Sequence, residues 1–549
     1  MTDKEKVSGE LSLRLKNYSR VLVLASGGFL FGFYLGAMNA LGVPIIQGVL
    51  GYDQKKEKDI HNTIYGMTNF LFGVGSLIGN VSCGKIANAF GRREAFYMEI
   101  GLIALAIAPS LIAHTSALLI SRFLIGVSVG INLCIYNVIL AELLPNKLCG
   151  IGGSLGVFFL TLGLLLSSLC QNIWEYSVLV EHWRWFVIYP IAIELMRVVA
   201  FPFVFKTETP AFIFNRILKS SCENQGLPSR KQGLPTGDQG VPITTEPLPL
   251  INKLYEENRQ DANSQVNNAD IRIDIVTQPD ASIKRTMNAE AFKQIKIVNS
   301  HIYPRDQVDD VTLKFLNHME GKIASREPDV GFKQLFSREY RRQFFAGCFL
   351  GLGHELCGTA FFSFYSTVLF DEISGNGKVI TLVMGIVNIV IAIASIFSVA
   401  YIGRKPNLVI GSLLQSVGLL VLLIGYKTFN VQAVLASTIL YVTGFCLGLG
   451  GAQLIYLGET LPPTGVGIAF GIQSAFSAML GLVIPLLVQA IGPMPLIIFF
   501  MVFCFAAIVI CQVYLIETRN KTAKAIFDEY NASLTHVLSC PKKQENESK

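Results

Sequence analysis

Two ionisable side chains interrupt a long apolar run in the second half of this chain. His354 and Glu355 are neighbours within residues 343–370, which hold no other charged residue. A carboxylate at the centre of a membrane-length helix costs about 3 kcal/mol unless it is paired or hydrated. We therefore expect Glu355 to face water or a polar partner.

Three interpretations of Glu355 stay open. In the first, it binds a cationic or amine-bearing solute, or carries a coupling proton. In the second, its oxygens accept hydrogen bonds from a polyol. In the third, it forms a structural pair with His354 or Tyr365. A histidine–carboxylate pair can also titrate near neutral pH.

Other polar residues in apolar segments have simpler expected roles. Asn39 either lies near a cavity or makes a hydrogen bond between helices. Glu194 and Arg197 are spaced i, i+3, so on one helix they neutralise each other. Arg122 is expected to support the fold rather than touch a ligand.

No motif in the chain predicts an enzyme. There is no Gly-rich nucleotide loop ending in Lys-Ser or Lys-Thr, and the cysteines and histidines lack metal-ligand spacing. The sequence therefore predicts neither a catalytic residue nor a metal or cofactor site.

The elements that position these residues are membrane-length helices. The 549 residues are 51% hydrophobic and only 15% charged, against about 25% charged in soluble proteins. About 20 apolar residues cross a bilayer core, and the chain has twelve such segments, without the alternation of a barrel. They lie at about 21–49, 63–88, 95–113, 117–143, 150–171, 184–205, 343–370, 379–401, 407–425, 431–458, 466–490 and 494–516.

Basic residues predict the orientation. Arg92 and Arg93 follow the second segment, and Arg404 and Lys405 follow the eighth. The positive-inside rule places these turns, both termini and the central loop in the cytosol. It also accounts for the net charge of +6, so we expect a lipid bilayer and no nucleic acid as partner. Residues 1–20 lack the features of a cleaved signal peptide.

The predicted fold class is an all-α membrane protein of twelve helices in two six-helix bundles. Between the bundles, Gly, Pro, Asn and charge replace apolar residues, which predicts disorder at about 220–300 with short amphipathic helices around it, such as Val308–Ile323. The expected divisions are a tail at 1–20, a bundle at 21–205, a central loop at 206–342, a bundle at 343–516 and a tail at 517–549.

The same signals recur in the same order in both halves. Gly-Arg-Arg at 91–93, Glu-Leu-Leu-Pro at 142–145 and Thr-Glu-Thr at 207–209 match Gly-Arg-Lys at 403–405, Glu-Thr-Leu-Pro at 459–462 and Glu-Thr-Arg at 517–519. The intervals from the basic turn to the closing glutamate are nearly equal. A parallel repeat of six plus six helices predicts two halves that rock about a site near the bilayer midplane.

These signals resemble those of the sugar porters of the major facilitator superfamily, which include the facilitative glucose transporters. The resemblance covers nearly the whole chain outside the central loop. It rests on Gly-Gly-Phe-Leu-Phe-Gly-Phe at 27–33, Arg-Phe-Leu-Ile-Gly-Val at 122–127, Trp-Arg at 183–184, Glu-Thr-Pro at 208–210 and Glu-Thr-Arg at 517–519.

The resemblance implies a sugar site that this chain has altered. The Gln-Gln-x-x-Gly-x-Asn stretch of helix 7 is His-Glu-Leu-Cys-Gly-Thr-Ala at 354–360. The family's Gln of helix 5 matches Val157, its Trp of helix 10 matches Leu454, and the proton-coupling Asp of some members falls near Tyr34. The expected solute contacts are Glu355, His354, Asn388, Tyr365, Asn39 and Gly163.

The resemblance also implies a cytosolic charge network that gates the inner side. Three of its members are replaced, by Cys149, Val466 and Ala400. The members that we expect to act here are Arg92, Arg93, Glu142, Arg404, Lys405, Glu459, Glu208 and Glu517.

Taken together, the sequence predicts a multi-pass transporter, more in keeping with the plasma membrane than with an organelle. The resemblance implies that it moves a hexose or related sugar by facilitated diffusion. One alternative is a proton-coupled or cation- or amine-selective transporter that uses Glu355. Another is a nutrient sensor that signals through residues 206–342 without transport. The oligomeric state stays open.

Overall fold

The computed structural model describes residues 17–51, 58–143, 146–205, 207–223, 291–303, 307–324, 332–519, 521 and 525–531. The chain divides into two compact units. The smaller unit contains Thr207–Pro328, and the larger contains Arg14–Lys206 and Asp329–Lys549. Within the described ranges the chain forms helices and turns and no strand.

The first half of the larger unit contains six long helical elements. Residues 17–25 are helical and lead through a turn at Ser26 into the first of them. The elements are α1 (Gly27–Leu50), α2 (Lys58–Phe90), α3 (Arg92–Ser110), α4 (Thr115–Leu143), α5 (Asn146–Ile173) and α6 (Trp183–Val204). A short helix, Tyr176–Glu181, precedes α6, which is itself built from Trp183–Ile188 and Ile191–Val204.

The second half repeats this arrangement with two irregular elements. The seventh helix is broken into α7a (Arg341–Leu356) and α7b (Thr359–Ser374), and the tenth contains a wide π-helical turn at Gly448–Ala452. The other bounds are α8 (Gly377–Tyr401), α9 (Arg404–Thr428), α10 (Val431–Thr460), α11 (Pro463–Ile491) and α12 (Met494–Tyr514). A single turn, Phe332–Leu335, precedes α7a.

The prediction of twelve membrane-length segments is confirmed. Among the described residues, eleven helices are long and apolar enough to cross a membrane. The twelfth is α3, which is less apolar because it begins with Arg92, Arg93 and Glu94 and holds Glu99 further in. Large apolar side chains on the outer faces, such as Phe203 and Val509, are exposed, as lipid-facing residues must be.

Close backbone contacts hold the helices together. A Cβ at Gly32 on α1 would lie 1.8 Å from the carbonyl oxygen of Leu160 on α5, and one at Gly73 on α2 would lie 2.6 Å from Cα of Ala478 on α11. Only glycine permits such approaches. The α2–α11 contact joins the two halves, as does the packing of α5 along α8.

The smaller unit has its own apolar core. Phe214 of the helix Pro210–Glu223 packs with Ala291, Ile295 and Leu316. The predicted helix at Val308–Ile323 is confirmed as Val308–Ala324. Residues 291–300 are also helical, so the expected disorder at about 220–300 extended too far at that end. Residues 224–290 lie outside the described part of the chain.

Candidate functional site

A break in helix 7 places His354 and Glu355 at the end of α7a. The helix stops at Leu356, and Gly358 turns the chain with φ of +97° before α7b begins at Thr359. This backbone conformation favours glycine. Thr359 Oγ1 donates to the carbonyl oxygen of His354 at 2.6 Å, which satisfies an acceptor that the broken helix leaves without its partner.

The two ionisable side chains are in direct contact. His354 Nδ1 lies 3.1 Å from Glu355 Oε1, and their side chains are 13% and 5% exposed. Glu355 Oε2 is buried and has no hydrogen-bond partner among the described residues. An unsatisfied buried acceptor is costly. The structure therefore shows the pairing with His354, and it leaves one carboxylate oxygen without a donor among the described residues.

Two glutamines extend this pair into a polar chain. Gln473 Nε2 on α11 lies 3.1 Å from His354 Nδ1. Gln453 Nε2 on α10 donates to Gln473 Oε1 at 3.2 Å, and Gln453 Oε1 has no partner within the described ranges. Gln453 directly follows the π turn Gly448–Ala452, and such turns re-aim the side chains beside them.

Sequence reasoning missed both glutamines. The available signal was an amide inside each of two apolar segments, because buried polar groups require partners. We call His354, Glu355, Gln473 and Gln453 the polar chain.

Asn388 on α8 lies against α10 instead of joining the polar chain. Cys446 Sγ donates to Asn388 Oδ1 at 3.1 Å, and Asn388 is 4% exposed. Its expected role in solute binding stays a prediction.

Asn39 and Tyr365 lie together where α1 meets α7b. Asn39 Nδ2 donates to Ser366 Oγ at 2.7 Å, and Asn39 Oδ1 accepts from the backbone N–H of Thr367 at 3.2 Å. The Tyr365 ring meets the Tyr65 ring edge to face, with centroids 5.8 Å apart. Of the two interpretations of Asn39, the structure shows the hydrogen bond between helices.

Gly163 lies at a helix contact. A Cβ there would be 2.2 Å from the carbonyl oxygen of Phe29 on α1, so the close packing of α5 on α1 requires glycine. The predicted solute contacts therefore occupy four places: the His354–Glu355 pair, Asn388, the Asn39–Tyr365 group and Gly163. Contact with a solute at any of them stays a prediction.

Equivalent ion pairs stand at one end of both halves, which we call the basic end. Arg92 donates to both oxygens of Glu142, at 2.7 and 2.9 Å. Arg404 Nη2 donates to Glu459 Oε1 at 2.5 Å. Both pairs tie the start of one helix to the end of another within the same half, as expected from the sequence repeat.

The remaining members of the expected gating network take different roles. Glu517 accepts from the backbone N–H groups of Arg404 and Lys405, each at 3.0 Å, and so caps α9. Lys405 Nζ donates to the carbonyl oxygen of Gln512, and Arg93 lies over the Tyr97 ring. In the smaller unit, Glu208 accepts from its neighbour Thr209. A gating function for these residues stays a prediction.

A buried ion triad lies inside the first half. Arg197 contacts Glu194 at 2.8 Å and Glu99 at 3.1 Å, with side-chain exposures of 1%, 6% and 1%. The i, i+3 pairing of Glu194 with Arg197 is confirmed. Glu99 was not anticipated, because it comes from α3 and only the fold brings it near. Arg122 Nη1 donates to the carbonyl oxygen of Tyr34 at 3.1 Å, which fits its expected support of the fold.

A C-terminal helical segment, residues 525–531, docks at the basic end. Tyr530 Oη lies 2.6 Å from Tyr456 Oη of α10, and Phe527 packs on Tyr340 with ring centroids 5.0 Å apart. Burial raises the pKa of the Tyr530 phenol. These contacts tie the tail to the ends of α7a and α10 at the basic end.

Known proteins match this chain over most of its length. The model of the family "Sugar (and other) transporter" matches residues 20–223 and 290–530. The putative metabolite transport protein YwtG of Bacillus subtilis is 22% identical over 91% of this chain and 93% of its own length. The glucose transporter GlcP of Staphylococcus epidermidis is 22% identical, with coverage of 94% and 97%.

Solved structures share the fold. The proton:xylose symporter XylE of the major facilitator superfamily, bound to 6-bromo-6-deoxy-D-glucose, matches with a TM-score of 0.66 at 17% identity, over 94% of this chain and 99% of its own. The inward-open form of the E. coli xylose transporter XylE matches with a TM-score of 0.64 at 18% identity and the same coverage. The twelve helices thus have the major facilitator arrangement.

Proposed function

From the premise that this chain belongs to the sugar (and other) transporter family, we propose that it carries a hexose or a related sugar by facilitated diffusion. Membership follows from the family match across both halves. The relatives named for glucose and xylose transport support a sugar as the solute. The chain is a membrane transporter and not an enzyme, so its task is to bind the solute and to expose it alternately to each side.

The polar chain is the observation that carries the proposal. It contains two acceptor oxygens, Glu355 Oε2 and Gln453 Oε1, that have no partner in the described part of the chain and that a ligand could satisfy. Sugar hydroxyls are donors as well as acceptors, and a buried acceptor gains most when a donor reaches it. A polyol would therefore satisfy both atoms without bringing a charge into the membrane.

The contact between α1 and α7b fits the role of a gate at the end opposite the basic turns. Asn39 bonds Ser366 and Thr367, and Tyr65 Oη donates to the carbonyl oxygen of Phe364. These bonds join the two halves at that end. In the proposed cycle they break when the halves rock apart to admit solute.

We place the basic end in the cytosol, together with both tails and the central loop. The support is the clustering of Arg92, Arg93, Arg404 and Lys405 at one end of the helices. The rocking bodies would be residues 21–205 and 343–516, with the ion pairs of the basic end as part of the inner gate. The plasma membrane is the proposed location.

One observation favours a second candidate, in which Glu355 binds an amine-bearing solute or carries a proton. The free oxygen belongs to a carboxylate, and a cation relieves a buried negative charge better than a hydroxyl does. Under this candidate, neutral sugars would not compete for transport.

Uptake into liposomes that contain the purified protein separates the two candidates. Labelled glucose, fructose and xylose are compared with a panel of amines, with and without an inward proton gradient. The variants are Glu355→Gln and the control Glu339→Gln, whose side chain is exposed before α7a. Hexose uptake that needs no gradient and survives in Glu355→Gln supports the proposal. Uptake restricted to amines or driven by protons, and lost in Glu355→Gln alone, would overturn it.

A further inference from the structure

The polar chain contains a conflict in its proton count. His354 Nδ1 lies 3.1 Å both from Gln473 Nε2 and from Glu355 Oε1. A ring nitrogen carries either one proton or one lone pair. If Nδ1 accepts from the amide N–H of Gln473, it has no proton to donate to Glu355. The 3.1 Å contact with Glu355 is then a hydrogen bond only when the carboxyl group carries the proton, and the two donors share the one lone pair of Nδ1.

A proton on His354 Nδ1 instead of on Glu355 reverses the orientation of the side-chain amides of Gln473 and Gln453. When the pair loses one proton to solvent, the ring changes tautomer: the proton on Nε2 leaves, and the carboxyl proton moves to Nδ1, which then donates to an ionised Glu355. In that state Nδ1 cannot face the NH₂ group of Gln473. The Gln473 amide must then turn so that its oxygen faces the ring. Its NH₂ group faces Gln453, which turns in the same way to present its own oxygen. Exchange of O and N in an amide changes its hydrogen bonding but hardly its shape.

The free end of the chain therefore depends on the proton. In the arrangement that the structure shows, Gln453 Nε2 donates a hydrogen bond to Gln473, and Gln453 Oε1 has no partner among the residues that the structure describes. After reversal, the free group would be the NH₂ of Gln453. An acceptor at the end of the chain would thus become a donor.

The ionisable residues on the helices around α7a have other partners, so the His354–Glu355 pair is the group that sets the direction of hydrogen bonding in the polar chain. On the elements packed against α7a, α11 has no ionisable residue. On α10, Tyr441 Oη donates to the carbonyl oxygen of Cys357, and Glu459 is paired with Arg404. Cys446 of α10 donates a hydrogen bond to Asn388.

The other neighbours of α7a are also engaged elsewhere. Cys504 of α12 donates to the carbonyl oxygen of Cys357. Tyr365 of α7b packs on Tyr65, and Asp371 accepts from the N–H of Gly377. On α7a itself, Arg341 and Arg342 lie about three helical turns from the pair.

We infer that Gln473 and Gln453 are specificity-determining residues whose hydrogen-bonding direction is set by the proton on the His354–Glu355 pair. When Glu355 is protonated, Gln453 selects a solute hydroxyl that donates. When Glu355 is ionised and Nδ1 carries the proton, Gln453 selects one that accepts. The inference rests on the proposed function for its solute, but the coupling between carboxyl and amide is a property of the protein alone.

Infrared difference spectroscopy on the purified protein tests the coupling without transport. The spectra are recorded across a pH titration for the wild type, Glu355→Gln, Gln473→Met and the control Gln432→Met, whose amide is exposed at the start of α10. We expect a carboxylic-acid band that titrates together with a side-chain amide band. Glu355→Gln should remove both, Gln473→Met should keep the acid band and lose the amide change, and Gln432→Met should change neither. Amide bands that stay constant while the carboxyl group titrates, or no titrating carboxyl band, would overturn the inference.

Competition by sugar analogues tests the selectivity. Deoxyfluoro sugars keep an acceptor but cannot donate, so their inhibition of glucose uptake relative to unmodified glucose should strengthen as pH rises. For the deoxyfluoro sugar altered at the hydroxyl that meets Gln453, we expect the relative inhibition to change about fivefold with pH, which is the contribution of one ordinary hydrogen bond. We expect no change with pH in Gln473→Met. Glucose uptake with pH-independent analogue ratios would sink the inference and leave the proposed function standing. Absence of any sugar uptake would instead defeat the proposed function, and the infrared titration would still decide the coupling.

Discussion

The two halves of this protein share one helix arrangement but treat buried acids differently. In the first half, Glu99 and Glu194 both bond Arg197 inside the bundle. In the second half, Glu355 bonds only the neighbouring His354, and its second oxygen has no partner among the described residues. The acids of the first half therefore hold helices together, whereas the acid of the second half is the one that we propose meets the solute.

The helices of the two halves also differ in their regularity. α4, and α1 from Gly27 onward, run without interruption, but their counterparts in the second half are broken or widened near the middle. α7 breaks after Leu356, and α10 contains the π turn Gly448–Ala452. Both irregular places adjoin the polar chain. Backbone irregularity at membrane depth is tolerated where it lines a cavity or is covered by protein, which supports the proposal that the solute binds in the second half.

The largest expected effect is on the stability of the first half. Arg197→Met leaves two buried carboxylates without a cation, which should cost about 3–5 kcal/mol. Thermal unfolding of the purified protein in detergent should show a large drop, with the exposed Arg341→Met as control. Glu99→Gln should cost much less, because Glu194 still neutralises Arg197. Equal stability of Arg197→Met and Arg341→Met would mean that the triad does not hold the fold.

The next largest effect is on transport, with no loss of stability. Glu355→Leu removes the free acceptor and should lower hexose uptake by about tenfold to a hundredfold, as expected for a lost hydrogen bond to a charged group. Its unfolding temperature should match or exceed that of the wild type, because an unsatisfied buried oxygen disappears. A protein that unfolds as easily as Arg197→Met would place Glu355 among the structural acids.

A smaller effect is expected at the contact between the halves. Asn39→Ala removes two hydrogen bonds between α1 and α7b. At about 1 kcal/mol each, their loss should shift the population about tenfold or more toward forms open at that end. Spin-label distances between α1 and α7b should lengthen in Asn39→Ala. They should not change in the control Asn88→Ala, which alters an exposed residue at the basic end of α2. Unchanged distances in Asn39→Ala would remove this contact from the gate.

The smallest effect is expected at the basic end. Arg92→Gln and Arg404→Gln each break one mostly buried ion pair, but the glutamine amide can still donate to the carboxylate, so we expect a cost of about 1 kcal/mol. The bidentate Arg92–Glu142 pair should be the stronger one. Thermal unfolding at low and high salt should show that the stability lost in each variant becomes smaller as the salt concentration rises. A cost that salt does not change would indicate that packing, and not charge, is lost.

The sequence predicted the features that depend on nearby residues. Apolar runs of membrane length predicted the twelve helices, and the i, i+3 spacing predicted the Glu194–Arg197 pair. Contacts between distant segments were not predicted in the same way. Glu99 joins Arg197 only through the packing of α3 on α6, and the roles of Gln453 and Gln473 depend on the break in α7 and the π turn in α10. Their amides carry no local pattern, so composition and spacing could not connect them to His354.

The central claim is that the polar chain of the second half, and not the triad of the first, meets the solute. Calorimetric titration of the purified protein with glucose tests it directly, with wild type, Glu355→Leu and Glu99→Gln compared. The account predicts binding to the wild type and to Glu99→Gln, and binding at least about tenfold weaker to Glu355→Leu. Equal affinity of Glu355→Leu and the wild type, or a loss of binding confined to Glu99→Gln, would contradict it.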